Sequence, residues 1–593
     1  MRAAVRLMDL SDEEVESPGG YMASPTVRRF KDCVHDYMPF DNKICAIIDT
    51  PQFQRLRHVK QLGTSSYVWP TASHNRFEHC LGVAYLAQSM MEHLQQSQPD
   101  LEITSRDARC VTIAGLCHDL GHGPWSHVWD GLFIPSVLPG ADWTHEDASE
   151  MMFDDLIKQN NLEIDEDDVT FIKALIAGEP KRCKRPEKPF LFEIVANKRN
   201  GLDVDKFDYI ARDMHAIDQK GNLSLTRLIH SARVIDNQIC FNIKDANQVY
   251  ELCYTRFSLH KRIYNHKTAK AIEYMIIDAL IAAEPHMNVA KHIYNPKKFM
   301  YLTDNIKTVI ESSEAEELEP ARQILHRVNT RDLYKPVDFK VFPWDYKDIC
   351  KEYFTPEKIV AAAKAVAAEH ALNGQETADP ADVEALSPGH VIVDLAKMHY
   401  GMQDKNPLDF VKFYSKHHPD TCQQAVLADI SLLMPASFGE VLLRIYTRDS
   451  RFFGLIQAGY REVLAKMPGE PAPAHPDPQR EATPPLPSLT PPDSEAPMTP
   501  RTQTRSLSSI PEAPEVTPLG MPTSLTAPSS ARGPGTPGQF TNNPFTSVGL
   551  NHKGPPPSTS KARPPNSVKG RASKRTREKA DAEESPVKRR RGA

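Results

Sequence analysis

The distribution of proline limits how much of this chain can pack into a folded core. The sequence has 49 prolines in 593 residues, and they are concentrated beyond Met467, in a stretch that begins PGEPAPAHPDPQREATPPLPSL and stays rich in Pro, Ser and Thr. A segment of that composition cannot bury enough apolar surface to offset the chain entropy lost on folding. We therefore predict a disordered tail over residues 467–593, a disordered amino terminus over residues 1–25, and a folded body between them.

Helical spacing of apolar residues dominates the first half of this body. Residues 74–96 and 105–121 both place apolar side chains three and four positions apart, the spacing of an amphipathic helix. Ser73 and Ser105 are candidate N-caps because their hydroxyls can accept a hydrogen bond from the first helical turn, and Gly121 is a candidate stop. The segment LTRLIHSARV and the stretch from Ala246 to Glu284 have the same spacing.

The second half has a mixed pattern. HVIVDLAKMHYG (390–401) alternates apolar and polar residues as a strand does, and the Ala-rich segment 358–389 predicts a helix or a flexible insertion. We predict a mainly α fold with a helical domain over residues 26–335 and a smaller mixed α/β lobe over residues 336–466.

Cysteine usage and hydropathy indicate the compartment. Ten cysteines are scattered without a C-x-x-C pair, and the start, MRAAVRLMDLSDEEVES, lacks the apolar stretch of a secretory signal. The longest apolar stretch, AIEYMIIDALIAAE (271–284), carries charges and is too short to span a bilayer. We expect a soluble chain with reduced thiols and no membrane partner. The net charge of −6 leaves nucleic acid open, because local patches decide such binding.

The doublet His118-Asp119 stands where a predicted helix meets the turn LGHG. Histidine and carboxylate suit borderline divalent metals. Neighbouring residues of a regular helix point about 100° apart, so a consecutive pair can share one ion most easily at an irregular helix end. An isolated His or Asp at a helix end is more often a cap or a partner of the helix dipole. Its companions favour a metal site, because His79 lies upstream on its own helix and Asp205 lies downstream in DVDKFDYIARD.

The longer motifs around these residues resemble a known family. The order and wording of SHNRFEHCLGVAYLA, IAGLCHDLGHGPWSHVWDG, WTHE, NGLDVDKFDYIARD and TRFSLHKRIYNHK resemble the HD-domain deoxynucleoside triphosphate (dNTP) triphosphohydrolases, over roughly residues 30–450. The resemblance implies an HD phosphohydrolase core within residues 26–335. It also implies conversion of a dNTP and water to a deoxynucleoside and inorganic triphosphate, which lowers dNTP pools. We expect no SAM domain of the kind found in this family, because too few residues precede Phe30.

The resemblance implies a role for each member of two His/carboxylate groups. The first group would bind iron, manganese or zinc and activate water for attack on the α-phosphorus; its members are His79, His118, Asp119 and Asp205. In the second group, His127 would protonate the leaving 5′ oxygen and His122 would assist. Asp130 and His145, next to Glu146, complete that group. Taken without the family, these histidines would rather indicate structural hydrogen bonds at a turn. Mg²⁺ is expected on the phosphates of the substrate and of activator nucleotides.

Two polar stripes at helical spacing are candidates for the substrate pocket. Asp205, Tyr209 and Asp213 follow one another at intervals of four, and so do Arg256, His260 and Tyr264. Such spacing is also typical of a solvated helix face. By resemblance, Arg76, Lys206 and Arg256 contact phosphate, Leu62 and Tyr264 wall off a 2′ hydroxyl, and Gln61 and Asp213 bind the 3′ hydroxyl. Asn265 replaces a glutamine that the family places near the base.

The resemblance further implies activation by nucleotides bound between subunits, with assembly of dimers into a tetramer. A first, guanine-specific site for GTP or dGTP would use Asp49, Gln54, Arg57, Arg444 and Arg28, the last in place of a lysine. A second site, for an activating dNTP, would use Arg227, Lys244, His266 and Lys267. Family residues are replaced near it by Lys31, Tyr37, Asn242 and Gln248. Without the resemblance, residues 54–57 would pass as the polar side of an amphipathic helix.

Two basic clusters lie near the end of the chain, in KGRASKRTREKADAEESPVKRRR. They predict a bipartite nuclear localisation signal and an import receptor as partner, with the nucleus as the main location and the cytoplasm as a second one. The same charges could bind single-stranded nucleic acid or form a solvated run. Ser585 and Thr499 each precede a proline in the pattern of proline-directed kinase sites.

Two other functions stay open from the residues alone. One is a nucleic-acid-binding or nucleotide-sensing protein with a vestigial HD site, and the other is an HD phosphohydrolase that acts on another phosphoester.

Overall fold

A computed structural model describes residues 27–467, apart from residues 220, 375–377, 427–429 and 432. The predicted disordered ends, the basic clusters, Ser585 and Thr499 lie outside the described residues, save for Met467. No helix among the described residues is long and apolar enough to cross a membrane.

The described residues are mainly helical, as the apolar spacing predicts. The helices are α1 (Asn42–Ile48), α2 (Pro51–Gln54), α3 (Arg76–Ser97), α4 (Ser105–Cys117), α5 (Ile134–Val137), α6 (His145–Asn160), α7 (Glu166–Ala177), α8 (Val204–Ala216), α9 (Leu225–His230), α10 (Ala246–Leu259), α11 (Lys267–Met287), α12 (Pro296–Phe299), α13 (Ile306–Ser312), α14 (Glu319–Asn329), α15 (Lys347–Tyr353), α16 (Pro356–Leu372), α17 (Pro380–Ala385) and α18 (Phe453–Ala465). The strands are β1 (Arg28–Asp32), β2 (Asp36–Phe40), β3 (Arg233–Ile235), β4 (Gln238–Asn242), β5 (Lys335–Pro343), β6 (Val391–His399), β7 (Lys412–Ser415), β8 (His418–Gln424) and β9 (Gly439–Thr447). The prediction of a mainly α fold with a small mixed lobe is confirmed.

The N-caps of α3 and α4 are not the predicted serines. Asn75 rather than Ser73 caps α3, and its backbone N–H donates to the Glu78 carboxylate at 2.8 Å. Thr104 rather than Ser105 caps α4, and its hydroxyl accepts from a first-turn backbone N–H at 3.1 Å. Both caps have an acidic residue at the third helical position, which accepts back from the cap N–H and makes them better caps than an adjacent serine.

Gly121 does not end α4, which stops at Cys117, but it is required for a close approach. A Cβ at Gly121 would lie 2.1 Å from the carbonyl oxygen of His145 and 2.2 Å from the backbone nitrogen of Ser149. The Gly121 N–H donates to the Ser149 hydroxyl at 2.9 Å. The absence of a side chain therefore lets the turn after α4 rest against the first turns of α6.

The predicted helical stretch from Ala246 to Glu284 is two helices. A π-helical turn, His260–Tyr264, follows α10, and His266 caps α11 by accepting from the Thr268 N–H at 3.3 Å. The predicted helix in LTRLIHSARV is likewise cut short, because only its first part is α9 and the chain then enters β3.

Two hydrophobic cores organise these elements. The first is built mainly on the packing of α3 against α4 and α8 and of α11 against α14. It also takes in Val411, Phe413 and Tyr446 from the second half of the chain. In the sheet β3-β4-β7-β8, β7 runs parallel to β4 with Phe241 opposite Phe413. The domain boundary predicted at 335/336 stays a prediction.

The second core lies in the smaller lobe. Its antiparallel sheet has the order β5-β9-β6, and the predicted strand at 390–401 is its edge strand β6. The Ala-rich segment forms α16, which packs against α18 through Ile359, Val360 and Ala363. The segment is therefore a packed helix followed by α17, and not a flexible insertion over its described residues.

Candidate active site

Four candidate metal ligands lie close together, near the turn that contains Gly121. They come from three helices or from the residues that follow them directly. His79 lies on α3, His118 and Asp119 follow α4, and Asp205 lies on α8. The Nε2 atom of His79 is 3.4 Å from Asp119 Oδ2 and 3.2 Å from Asp205 Oδ1. The Nε2 atom of His118 is 3.5 Å from each of the same two oxygens. The structure thus brings all four predicted metal ligands together.

The tautomers of the two histidines follow from their other ring nitrogens. The Nδ1–H of His79 donates to Asp208 Oδ2 at 2.8 Å, and that of His118 donates to the Gly115 carbonyl at 2.7 Å. In the neutral rings, both Nε2 atoms therefore carry the lone pair. Both atoms are buried without a hydrogen-bond partner among the described residues. The two Nε2 lone pairs and the Asp119 and Asp205 carboxylates would repel one another unless a cation lies between them.

The imidazole–carboxylate distances are close to the spacing of donor atoms around a single divalent ion. Donors that lie about 2.1 Å from one ion in tetrahedral or octahedral geometry are about 3.0–3.4 Å from their neighbours. The four distances here are 3.4, 3.2, 3.5 and 3.5 Å. Two imidazoles and two carboxylates suit a borderline metal better than they suit Ca²⁺ or Mg²⁺.

The electrostatics of the site favour positive charge. Burial alone would lower the pKa of His79, but the nearby carboxylates of Asp119, Asp205 and Asp208 raise it well above its usual value. Burial would raise the pKa of Asp119, yet nearby cationic groups hold it well below the ordinary range. The Arg76 guanidinium, expected at a substrate phosphate, hydrogen-bonds Asp119 Oδ2. Arg76 thus already supplies part of the positive charge that the carboxylates require.

A buried ionic network contacts His79 through its Nδ1 atom, on the side of the ring away from the metal site. Sequence reasoning missed this network. We call it the Asp208 network: Asp208, His35, Arg212 and Asp32. Besides the His79 ring, the Asp208 carboxylate accepts from His35 Nε2 at 2.6 Å and from Arg212 Nε and NH2 at 2.9 Å each. Arg212 also reaches Asp32 in β1 at 2.8 Å. All lone pairs of Asp208 are engaged, which fixes the His79 ring plane.

We expect Asp208→Asn to weaken metal binding by about 10- to 100-fold, because the amide has one acceptor oxygen where the two carboxylate oxygens serve four N–H donors. The measurement is metal content per chain after dialysis against a graded series of chelator concentrations. Asp154→Asn is the matched control, since Asp154 is half exposed and forms an ion pair with Lys173 at 2.6 Å. Equal metal retention by the Asp208→Asn chain and the wild type would show that the network does not support the ligand.

The second predicted group adjoins the first through Asp119. His122 Nε2 lies 3.3 Å from Asp119 Oδ1, on the opposite oxygen from the one that faces His79. His145 Nδ1 donates to Asp130 Oδ2 at 2.7 Å, and His127 Nδ1 is 3.5 Å from the same oxygen. His127 is the solvent-facing member, with 71% of its side chain exposed. The four predicted catalytic residues are therefore neighbours.

Ring geometry makes this second group better suited to proton transfer than to metal binding. The His122 and His145 rings stack with centroids 4.1 Å apart and planes 21° apart. A metal must lie in the plane of each ligating imidazole, and the lone pairs of stacked rings do not meet. Burial lowers the pKa of His122 well below its usual value, whereas Asp130 raises that of His145 against the effect of burial. The group therefore contains histidines of different basicity next to one another, as acid–base catalysis requires.

Residues of the two predicted stripes meet around Asp213. The Asp213 carboxylate accepts from the Tyr264 hydroxyl and, at 2.8 Å, from His74 Nε2, a partner that sequence reasoning missed. The His260 ring lies 4.8 Å from the Tyr264 ring. Burial and Asp213 raise the pKa of Tyr264 well above its usual value, so the phenol stays a hydrogen-bond donor. Tyr209 is half-buried and lies four positions before Asp213 on α8.

Among the other predicted substrate residues, some polar atoms have no hydrogen-bond partner in the described structure and others are held by hydrogen bonds. Gln61 Oε1 is buried without a hydrogen-bond partner among the described atoms. Leu62 is half-buried against the first core. Arg256 NH1 donates to the His399 carbonyl of β6 at 2.7 Å and its Nε is unpartnered in the described structure, while Lys206 Nζ is 2.9 Å from Asp203. Asn265 donates to the His260 carbonyl at 2.8 Å, which places its side chain against the π-helical turn.

The predicted regulatory residues form two separate groups in this chain. Arg28 makes two hydrogen bonds to Asp49, at 2.7 and 2.6 Å, and Arg57 Nε donates to Gln54 Oε1 at 2.7 Å. No hydrogen bond or ion pair joins Arg444 to these four within the described part of the chain. Arg444 instead donates to the Asn265 carbonyl.

The predicted second regulatory set lies around the start of α11 and the region from α9 to α10. His266 contacts Trp69 edge to face at 4.9 Å, and the Lys267 carbonyl accepts from the Tyr446 hydroxyl at 3.1 Å. Arg227 pairs with Asp245, and the backbone N–H of Lys244 donates to the Asn242 side chain at 3.1 Å. Arg444 also acts on His266, whose pKa is lowered first by burial and then by Arg444 and Lys267.

Comparisons with known proteins agree with this geometry. An HD domain matches residues 76–218, and an HD associated region matches residues 223–405. The chain is 40% identical over 461 residues to deoxynucleoside triphosphate triphosphohydrolase SAMHD1 of Bos taurus, covering 72% of this chain and 76% of the relative. It is 39% identical over 462 residues to the protein of that name from Homo sapiens, covering 71% of each chain. It is 37% identical over 453 residues to the SAMHD1 homolog of Dictyostelium discoideum, covering 76% of this chain and 83% of the relative.

Proposed function

Because this chain belongs to the HD-domain family of deoxynucleoside triphosphate triphosphohydrolases, we propose that its two His/carboxylate groups act together in dNTP hydrolysis. The reaction is dNTP plus water to deoxynucleoside plus inorganic triphosphate, by water attack on the α-phosphorus. The observation that carries the proposal is the convergence of the two unpartnered Nε2 lone pairs, on His79 and His118, with the Asp119 and Asp205 carboxylates. A vestigial HD site would have no reason to keep that arrangement.

The metal, when bound, supplies a Lewis acid that activates water and neutralises charge on the phosphorus centre. Iron, manganese or zinc fits His79, His118, Asp119 and Asp205, and Mg²⁺ accompanies the phosphates of substrate and activators. The chain's own contribution to bond cleavage is a proton for the leaving 5′ oxygen. His127 is the donor, because it is the exposed member of the second group, and Asp130 holds its imidazole at 3.5 Å.

His122 and His145 supply and hold protons behind His127. Their rings lie 5.0 and 5.4 Å from the His127 ring. The burial of His122 keeps it neutral, whereas the ion pair with Asp130 keeps His145 protonated at higher pH. A proton lost by His127 can therefore be replaced from within the group. Arg256, Lys206 and Arg76 neutralise the triphosphate in this proposal.

Selection of deoxyribose follows from the groups around Asp213. Held by Tyr264 and His74, the Asp213 carboxylate is fixed for the 3′ hydroxyl, and the free Gln61 Oε1 is a second acceptor. The Tyr264 ring and Leu62 leave a 2′ hydroxyl without a partner, which selects against ribonucleotides. Asn265 follows Tyr264 in the chain. Its side chain is shorter than the glutamine that it replaces, so it leaves the base preference open.

Nucleotide activation is the regulatory part of the proposal. The Arg28–Asp49 pair and the Gln54–Arg57 pair offer an acidic acceptor for guanine and two cations for phosphates. We propose that GTP or dGTP binds there and that a dNTP binds near Arg227, Lys244, His266 and Lys267, with assembly of dimers into tetramers. Arg444 belongs beside the second set within one chain, so any role at a guanine site requires another subunit.

The tail supports proposals about location and partners. Its two basic clusters match a bipartite nuclear localisation signal, which an import receptor would bind, and they carry charge suited to single-stranded nucleic acid. Phosphorylation of Ser585 would reduce that positive charge. In the nucleus the reaction would lower the dNTP pool.

The test of the proposed function is product analysis. The purified full chain, given a dNTP mixture, GTP and Mg²⁺, is expected to release deoxynucleosides and triphosphate in equal amounts, and to slow strongly when GTP is left out. Orthophosphate or pyrophosphate as the phosphate product would instead indicate another phosphoester chemistry. Full activity without any activator would remove the regulatory part while leaving the catalytic part intact.

A further inference from the structure

The loop that carries His127 has a strained backbone. Trp125 and Ser126, the two residues before His127, have φ angles of 53° and 58°, in the left-handed region that favours glycine. A non-glycine residue in that region is strained and persists only where the surroundings hold it. The direction of the His127 side chain depends on this pair of residues.

One carboxylate holds the strained pair in place. Asp304, which lies just before α13, accepts the Trp125 backbone N–H on Oδ1 at 2.7 Å. Its other oxygen, Oδ2, accepts the Lys60 backbone N–H at 3.1 Å. The Asp304 N–H in turn donates to the His58 carbonyl at 3.1 Å. A single side chain therefore links two loops that are far apart in the sequence.

These two loops carry different parts of the proposed active site. Lys60 immediately precedes Gln61 and Leu62, the proposed sugar-binding residues, and Trp125 lies two residues before His127. Ser126 makes a parallel link, because its hydroxyl donates to the Lys60 carbonyl at 2.7 Å. We propose that Asp304 is a positioning residue that fixes the proton-donor loop relative to the sugar-binding segment. This inference rests on the proposed function.

Arg55 also links these segments, through a separate set of hydrogen bonds. Its buried guanidinium donates to four backbone carbonyls, those of Leu120, His122, Phe299 and Leu302. The segment that ends at Asp304 is thus held against the His122 loop by Arg55 as well as by its own carboxylate. Arg55 provides the general attachment of the two segments, whereas Asp304 contacts the left-handed turn itself.

The chemistry of the contact requires two acceptors at one residue. An ionised aspartate offers an oxygen to each N–H, whereas an asparagine would turn its amide nitrogen toward one of the two donors. Burial raises the pKa of Asp304 to about 6, against the opposing effects of the two N–H groups and of Lys60 and Arg55, which face it. Its charge is therefore costly to stability. Asp304→Asn, which keeps the shape and removes the charge, is expected to fold.

The experiment compares the full-length wild type with Asp304→Asn in the presence of GTP and Mg²⁺. We expect kcat for dNTP hydrolysis to fall about 10- to 100-fold, because a shift of about 1 Å in a reacting group has an effect of that size. Metal content per chain stays at the wild-type value, and the ratio of kcat/KM for dATP to that for ATP falls, since the sugar segment moves with the loop. Asp332→Asn, at an exposed carboxylate that pairs with Arg327 at 2.7 Å, is the matched control.

The outcomes separate this inference from the proposed function. A wild-type chain that releases no triphosphate refutes the proposed function, and the inference falls with it. An active wild type together with an Asp304→Asn chain of unchanged kcat and unchanged sugar preference overturns the inference alone. So does an Asn chain that fails to fold, because Asp304 would then be a structural residue. Asp304→Glu, which keeps both acceptors, is expected to recover part of kcat.

Discussion

Replacing His118 by alanine is expected to reduce dNTP hydrolysis by a factor of about 10³ or more. The change removes one of the two Nε2 lone pairs that face Asp119 and Asp205. A metal ion supplies several kcal/mol of stabilisation to such a reaction, and about 4 kcal/mol corresponds to a factor of about 10³ in rate. The His118 Nδ1–H bonds only the Gly115 carbonyl of its own helix, so its loss costs the fold little.

The measurement pairs turnover with metal content. In the His118→Ala chain both should fall together, and added Mn²⁺ should restore neither fully. His286→Ala is the control, since His286 is partly exposed at the end of α11, where its Nδ1 lies 4.0 Å from the Glu317 carboxylate. A His118→Ala chain that retained one metal per chain and wild-type turnover would refute the assignment of this ligand set.

Replacing His127 by alanine is expected to lower kcat by about 10²- to 10⁴-fold, the range for loss of a general acid. The imidazole is 71% exposed and its ion-pair partner is Asp130, at 3.5 Å, so KM, metal content and folding should change little. His326→Ala, at an exposed position on α14, is the control.

Leaving-group dependence distinguishes a proton donor from a binding residue. A dNTP analogue with sulfur at the bridging 5′ position has a leaving group that needs no proton. The His127→Ala chain should hydrolyse this analogue at close to the wild-type rate, although it hydrolyses the natural substrate slowly. An equal loss on both substrates would contradict the role of His127 as acid.

The metal ligands could be predicted from the sequence, whereas their support could not. His79, His118, Asp119 and Asp205 stand in motifs whose order is itself informative, and the structure brings them together. The Asp208 network joins residues as far apart as Asp32 and Arg212, which are 180 positions apart. Helical spacing places Asp208 and Arg212 next to Asp205 on α8, but it does not indicate that they turn toward β1.

Local boundaries were predicted less well, for local reasons. Ser105 is an acceptable cap by residue type. Thr104 is the actual cap, because the Asp107 carboxylate accepts from the Thr104 N–H while the Thr104 hydroxyl accepts from the Asp107 N–H. The break between α10 and α11 depends on the π-helical turn and on His266 as a cap, and apolar spacing continues through both. Asp304 was missed for another reason, because nothing near it in the sequence marks a residue that accepts from backbone N–H groups of two distant loops.

Hydrolysis in water enriched in ¹⁸O tests the central claim most directly. The full-length chain is incubated with a dNTP, GTP and Mg²⁺ in that water, and both products are analysed by mass spectrometry. Attack on the α-phosphorus places one ¹⁸O in the triphosphate and none in the deoxynucleoside, because the 5′ oxygen leaves with the sugar. Label in the deoxynucleoside, or release of pyrophosphate or orthophosphate in place of triphosphate, would contradict the account.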